Sequence, residues 1–258
     1  MAAFSADGQE VPSNLLSNNQ AIREMVKYQT TRSEFMKLLL TSAGVLNKSI
    51  HDALVEMLDK PIGESNALCI PTAMYGHPWV GPGVNTWEFI SGKSGNPMVG
   101  LGWKSVGILE LTALPSISRD RWVPLVRETD VLLVAGGDAL YLHHWMLQSG
   151  LAELLPSLRA VYVGMSAGSM VMTPSIGEFF VGWTPPAGGD EALSLVDFAI
   201  FPHLDHEMLP DNTMAAAERW AAGMKGPAYA IDDQTAIKVI DGAAEVISEG
   251  NWKFFHKS

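Results

Sequence analysis

The chain has 258 residues, is 47% hydrophobic and 17% charged, and carries a formal net charge of −11 with a single cysteine. That length allows one large domain or two small ones, and that apolar share supports a sizeable core. The negative balance argues against a nucleic-acid or anionic-membrane surface, because phosphates repel such a chain, and the lone Cys69 excludes a disulfide framework and a cysteine-rich zinc site.

Residues 1–35 are rich in Ser, Asn and Gln and read as a peripheral N-terminal extension. No signal-peptide core is seen there, and no apolar run approaches the ~18 residues needed to span a bilayer, so a soluble, cytoplasmic protein is expected. From Met36 strands and helices alternate. "KLLLTS" reads as a buried strand, and "NKSIHDALVEML" as a helix capped by Asn47 or Ser49. "NALCIPTA" is a second strand that buries Cys69; helix and loop follow in "WEFISGKSGNPMVGLGW", then a third strand in "SVGILEL". "SRDRWVPLVRE" is a helix, "DVLLVAGG" a strand, and "ALYLHHWMLQSGLAELL" one long helix. "RAVYVGM" is the next strand, and "AGSMVMTP" opens a further helix. Near the end, alternating strands flank Asp241-Gly242, a pair that favours a hairpin. Strands apolar throughout, separated by helices, predict one doubly wound α/β domain over 36–258, with a mostly parallel sheet, helices on both faces and a C-terminal β-hairpin.

"GMSAG", Gly164–Gly168, fits the G-x-S-x-G turn that lifts a serine hydroxyl out between a strand and a helix. With "AVYV" before it and a helix start after it, Ser166 becomes a candidate nucleophile, and such a serine needs a base. Of the seven histidines, His203 follows the apolar run "FAIF", so it is expected at the same carboxyl edge of the sheet as Ser166. His206 competes but lies deeper in its loop. His77 sits in a loop where a pocket role is open. His143 and His144 read as packing or surface residues, His51 as remote and His256 as a solvated tail residue. Gly136 and Gly137 follow another strand at that edge; with Ala167 they offer backbone amides for an oxyanion hole. Trp79 and Trp183 lie in Gly- and Pro-containing loops that could line a pocket.

"AGGDALYL", "GMSAGSMVMTP" and "FPHL", in that order, resemble the dipeptidase E and cyanophycinase family of serine peptidases, as do "KLLLTSAG" and "AIDDQTAIKV". The resemblance implies a class I glutamine amidotransferase-like fold, a flavodoxin-like three-layer sandwich. It also implies Ser166 as nucleophile, His203 as base, and Gly137 and Ala167 as oxyanion donors. The family's glycine pair is usually followed by Asn, whereas this chain has Asp138, expected as a helix cap and a substrate-contacting position together with Trp183. The family places an acid some way past its serine. Glu178 is the expected third triad member, with Asp190 or Glu191 as the alternatives. Strict aspartyl selectivity is not expected, because "LDHEMLPDNTMAAAERWAAG" after His203 holds Arg219 as its one cation. The expected partner is a small peptide or amide, with no nucleic acid, membrane, metal or organic cofactor; a homodimer is left open. A non-catalytic small-molecule binding or interaction module on the same fold is the alternative. A glutaminase would need a cysteine where Ser166 stands, and an α/β-hydrolase a histidine nearer the C-terminus.

Overall fold

The computed structural model describes residues 36–186 and 188–256, so the extension expected over 1–35 lies outside the described residues. Strands β1 (Lys37–Thr41), β2 (Asn66–Ile70), β3 (Ser105–Ile108), β4 (Val131–Val134) and β5 (Val161–Met165) run parallel in the order β3-β2-β4-β5-β1. Strands β8 (Thr235–Ile240) and β9 (Ala243–Ser248) extend this sheet antiparallel beyond β1, giving seven strands.

The central strands are apolar throughout because both faces are covered. Leu38, Leu40, Leu132 and Val134 pack into one cluster with the helix residues Trp122, Val126 and Met146. Their alternating neighbours Leu39, Val131, Leu133 and Val163 pack into the other with Ile50, Leu54 and Met57. Those last three lie on helix α1 (Lys48–Leu58). Its cap is Asn47, whose side chain accepts from the Ile50 amide at 2.9 Å. Cys69 sits in this second cluster, and burial pushes its thiol pKa up to about 11, which makes it a core thiol.

The remaining helices are α2 (Ala73–Gly76), α3 (Val84–Ile90), α4 (Arg119–Glu128), α5 (Ala139–Ser149), α6 (Leu151–Leu154), α7 (Ala167–Met170) and α8 (Met214–Gly223). Among the described residues no helix is long and apolar enough to cross a membrane.

Four expectations are corrected. Coverage on both faces does not extend to the third strand: β3 is an edge strand, and Val106 and Ile108 face solvent. The long helix breaks at Gly150, which adopts φ 77°, between α5 and α6. The helix after Ser166 is only the single turn of α7. The apolar run before His203 does not join the main sheet. It forms β6 (Ala199–Phe201), which pairs with β7 (Ala228–Ile231) and β10 (Trp252–Phe255) in a separate three-stranded sheet. The expected hairpin links β8 to β9, and Asp241 (φ 51°) and Gly242 (φ 81°) both take the left-handed backbone that a type I′ turn requires.

Candidate active site

β1, β2, β4 and β5 end at one edge, where a doubly wound sheet presents its ligand site. Ser166 stands one residue past β5 with φ 50° and ψ −111°, a conformation costing of order 1–3 kcal/mol for a residue with a Cβ. Its amide donates to the Thr41 carbonyl at 3.1 Å, and its own carbonyl accepts from the Ser169 and Met170 amides, so both sides of the turn are fixed. The turn can sit this close to β4 only because Gly168 has no side chain: a Cβ there would lie 2.6 Å from the Val134 carbonyl oxygen. Gly168→Ala should therefore lower unfolding stability by about 2 kcal/mol, read as a lower denaturation midpoint, because the backbone it strikes cannot swing away.

The Ser166 hydroxyl lies 2.9 Å from His203 Nε2. His203 arrives from the small sheet, not from the sheet that carries Ser166. Its left-handed backbone (φ 55°) turns the chain back, and the next amide, Leu204, donates to Ile231 on β7. On the far side of the ring, Nδ1 lies 2.7 Å from Asp233 Oδ1. Ser42 ties these parts together: its hydroxyl donates to Asp233 Oδ1 (2.9 Å) and accepts from the His203 amide (2.8 Å). His206 faces the other carboxylate oxygen, with Nε2 3.4 Å from Oδ2, while its Nδ1 accepts from the Met208 amide.

Burial raises the cost of ionising Asp233, but the hydrogen bond and charge of His203, with Ser42 and His206, outweigh it and hold the carboxyl below its ordinary 3.8. A group with a depressed folded pKa stabilises the fold above its unfolded pKa and loses that contribution as pH falls through the folded value. The stability gap between wild type and Asp233→Asn should thus be full near neutrality and shrink below about pH 3.8, measured by denaturant unfolding across pH.

The acid at His203 is therefore Asp233, and the carboxylates expected from sequence lie elsewhere. Glu178 is exposed on a single 3-10 turn, Glu178–Phe180. Phe179 and Phe180 pack on Phe201, with ring centroids at 5.4 and 4.9 Å, and this turns Glu178 outward. Asp190 Oδ2 accepts from the Ser175 hydroxyl (2.5 Å) and the Gly177 amide (3.0 Å), closing the base of its own loop. Glu191 bridges to Ser175 at that same base.

The position of Asp233 follows from strand direction. β8 runs antiparallel to β1, so β8 starts at the edge where β1 ends, and a residue just before it must fall at the site. Its neighbour Asp232 accepts instead from Gln234 and Thr235 and builds the turn. Ser42 was likewise missed; it directly follows β1.

Gly136 lies against the nucleophile: a Cβ on it would come within 3.3 Å of Ser166 Cβ. Gly137 has φ 134°, and a Cβ there would strike the Ala73 carbonyl oxygen at 2.3 Å, so that position admits only glycine without rearrangement. Ala167 opens α7, and its amide is one of the helix-end donors without an intrahelical partner.

Asp138 is buried, and both its oxygens are occupied. Oδ1 accepts from the Tyr141 amide (2.8 Å) and caps α5, while Oδ2 accepts from the Trp183 amide (2.6 Å). The capping expectation holds, and the second oxygen ties Trp183, whose ring packs on Tyr141 and His144, to the same helix start. Trp79 is 82% exposed and meets His77 edge-on. His143 is buried in α5, His144 packs between Trp145 and Trp183, His51 pairs loosely with Asp52 on α1, and His256 is exposed. Among the described residues no group of three His, Cys, Asp or Glu side chains could hold a metal ion.

The arrangement holds the parts that activate a nucleophile for acyl transfer: a hydroxyl on an imidazole and a carboxylate behind the imidazole. The sequence model of peptidase family S51 matches residues 38–247. No curated protein matches the chain. A solved structure of a candidate peptidase E protein from Listeria monocytogenes EGD-e is similar at 19% identity and a TM-score of 0.59, covering 83% of this chain and 99% of that one. A peptidase from an acI-B1 Actinobacterium is similar at 19% identity and a TM-score of 0.57, covering 86% and 97%. At such identities the two structures establish the fold.

Proposed function

The chain belongs to peptidase family S51, a membership that implies a serine peptidase, and on that premise we propose that Ser166, His203 and Asp233 form its catalytic triad. The observation that carries the reading is the unbroken chain of contacts from Ser166 Oγ through both ring nitrogens of His203 to Asp233. Ser166 Oγ attacks the scissile carbonyl of a small peptide or amide while His203 Nε2 takes its proton. Asp233 accepts from Nδ1–H, keeping the lone pair of Nε2 aimed at the serine and stabilising the imidazolium that forms. The carbonyl oxygen becomes an oxyanion held by the Gly137 and Ala167 amides. His203 then gives the proton to the departing amine as the C–N bond breaks. Water, activated by the same imidazole, releases the acyl group and restores Ser166.

A mixture of di- and tripeptides incubated with the protein should yield new termini by mass spectrometry, and His203→Ala should yield none. Equal cleavage by that variant would reject the reading. Two features speak against strict aspartyl selectivity: the run 202–212 holds no Lys or Arg, and Asp138 places a buried carboxylate beside the oxyanion glycine.

A further inference from the structure

We propose that the aromatic wall beside Gly137, formed by Tyr75, Tyr141 and Trp183, is the subsite for the substrate residue on the acyl side of the scissile bond, and that it selects a neutral aromatic or large apolar side chain. The proposal rests on the serine-peptidase reading above.

The sheet order settles which side of the substrate meets this wall. β5 carries Ser166, with β4 and its Gly136-Gly137 on one flank. On the other flank stand β1, followed by Ser42, and β8, preceded by Asp233. His203 is held over that second flank by both Ser42 and Asp233. The departing amine must receive its proton from His203, so it leaves there. The carbonyl oxygen turns to the Gly137 amide, and the acyl part extends toward β4 and what lies beyond it.

What lies beyond is a wall of rings. The Asp138 amide donates to the Ala73 carbonyl at 2.9 Å, which seats α2, and hence Tyr75, against the start of α5. Trp183 stands edge-on to Tyr141, with centroids at 5.5 Å, and tilted on His144 at 5.3 Å. Tyr75 remains 37% exposed, so its ring is open to a ligand. Burial lowers the pKa of His77 and of His144 from 6.5, so both imidazoles add neutral surface near pH 7.

The carboxylate beside the glycine pair, Asp138, is committed to the Tyr141 and Trp183 amides, and so acts as a positioning residue that hangs Trp183 there, while Glu110, near Tyr75, accepts from the Thr72 hydroxyl. Residues 72–79, 136–145 and 176–184 contain no Lys or Arg. An acidic side chain would lose hydration there and gain no ion pair, and a basic one would find Asp138 already occupied. An aromatic side chain loses little hydration and gains ring contacts.

The test is a series of dipeptides, Xaa-Leu with Xaa as Phe, Ala, Asp or Arg, followed by release of free leucine. Wild type should favour Phe-Leu over each of the others by about tenfold or more in kcat/KM. Trp183→Ala should erase that preference mainly through KM, and Trp183→Phe, which keeps a ring in place, should retain most of it. Preference for Asp-Leu or Arg-Leu, no cleavage of any member, or an undiminished Phe preference in folded Trp183→Ala would overturn the inference. Fluorophosphonate labelling of wild type in parallel separates the two failures: a labelled protein without aromatic preference loses only this inference, whereas an unlabelled one loses the serine-peptidase reading.

Discussion

Ser166→Ala should lower kcat/KM on any peptide substrate by at least about a thousandfold, leaving only what the oxyanion donors and binding supply. The loss should fall on kcat, because the hydroxyl forms a bond only during reaction and adds little to substrate affinity. The substitution should leave the fold intact. The backbone bonds that fix the turn, from Ser166 N to Thr41 and from Ser169 and Met170 to the Ser166 carbonyl, do not involve the hydroxyl. Alanine keeps the Cβ that already tolerates φ 50°, so unfolding midpoints should match the wild type. A variant with wild-type turnover and wild-type stability would mean that the serine is only a tight corner.

Asp233→Asn should cost about 10³- to 10⁴-fold in kcat with little change in KM, whereas Glu178→Gln should stay within about twofold. The contrast follows from placement. Asp233 Oδ1 sits 2.7 Å from Nδ1 of His203, while Glu178 is exposed on a turn whose phenylalanines pack on β6. An asparagine amide in place of Oδ1 would donate to Nδ1 and move the ring proton to Nε2, so that His203 could no longer accept from Ser166. The carboxylate that balances an imidazolium would also be gone. Ser42 would lose its acceptor, which makes the Asp233 position sensitive to charge and to geometry together. Kinetic constants for both variants on one dipeptide decide the matter. A severe loss in Glu178→Gln with an active Asp233→Asn would invert the assignment.

The sequence made the parallel sheet legible, because strands buried on both faces lose the alternation of half-buried ones and show as apolar blocks between helices. The Ser166 turn was legible for a local reason: small residues are demanded where the backbone passes within contact of β4, as at Gly168. The hairpin followed from Asp241-Gly242, where two consecutive left-handed residues are needed.

What stayed hidden was long-range. β6 is three residues long and pairs only with the small sheet, so nothing local distinguishes it from a strand of the main sheet. The position of His203 came out beside Ser166 although the route to it differed. The acids that follow the serine in sequence do not reach His203, because Asp190 and Glu191 pair back with Ser175 and Gly177. The carboxylate that does reach the imidazole arrives 30 residues after His203, at the start of a strand whose antiparallel direction brings it to the site edge. Pairing direction is a property of the sheet, and it cannot be read from the Asp-Asp dipeptide alone. Asp138 shows the converse: its capping of α5 follows from a carboxylate just before a helix, but its hold on the Trp183 amide, 45 residues away, is long-range.

If Ser166 is an activated nucleophile, fluorophosphonate labelling followed by intact-mass measurement and peptide mapping should find one adduct per chain. The adduct should lie on the peptide containing Ser166, be absent in Ser166→Ala and form far more slowly in His203→Ala. An unlabelled wild type, or an adduct that persists in Ser166→Ala, would contradict that role.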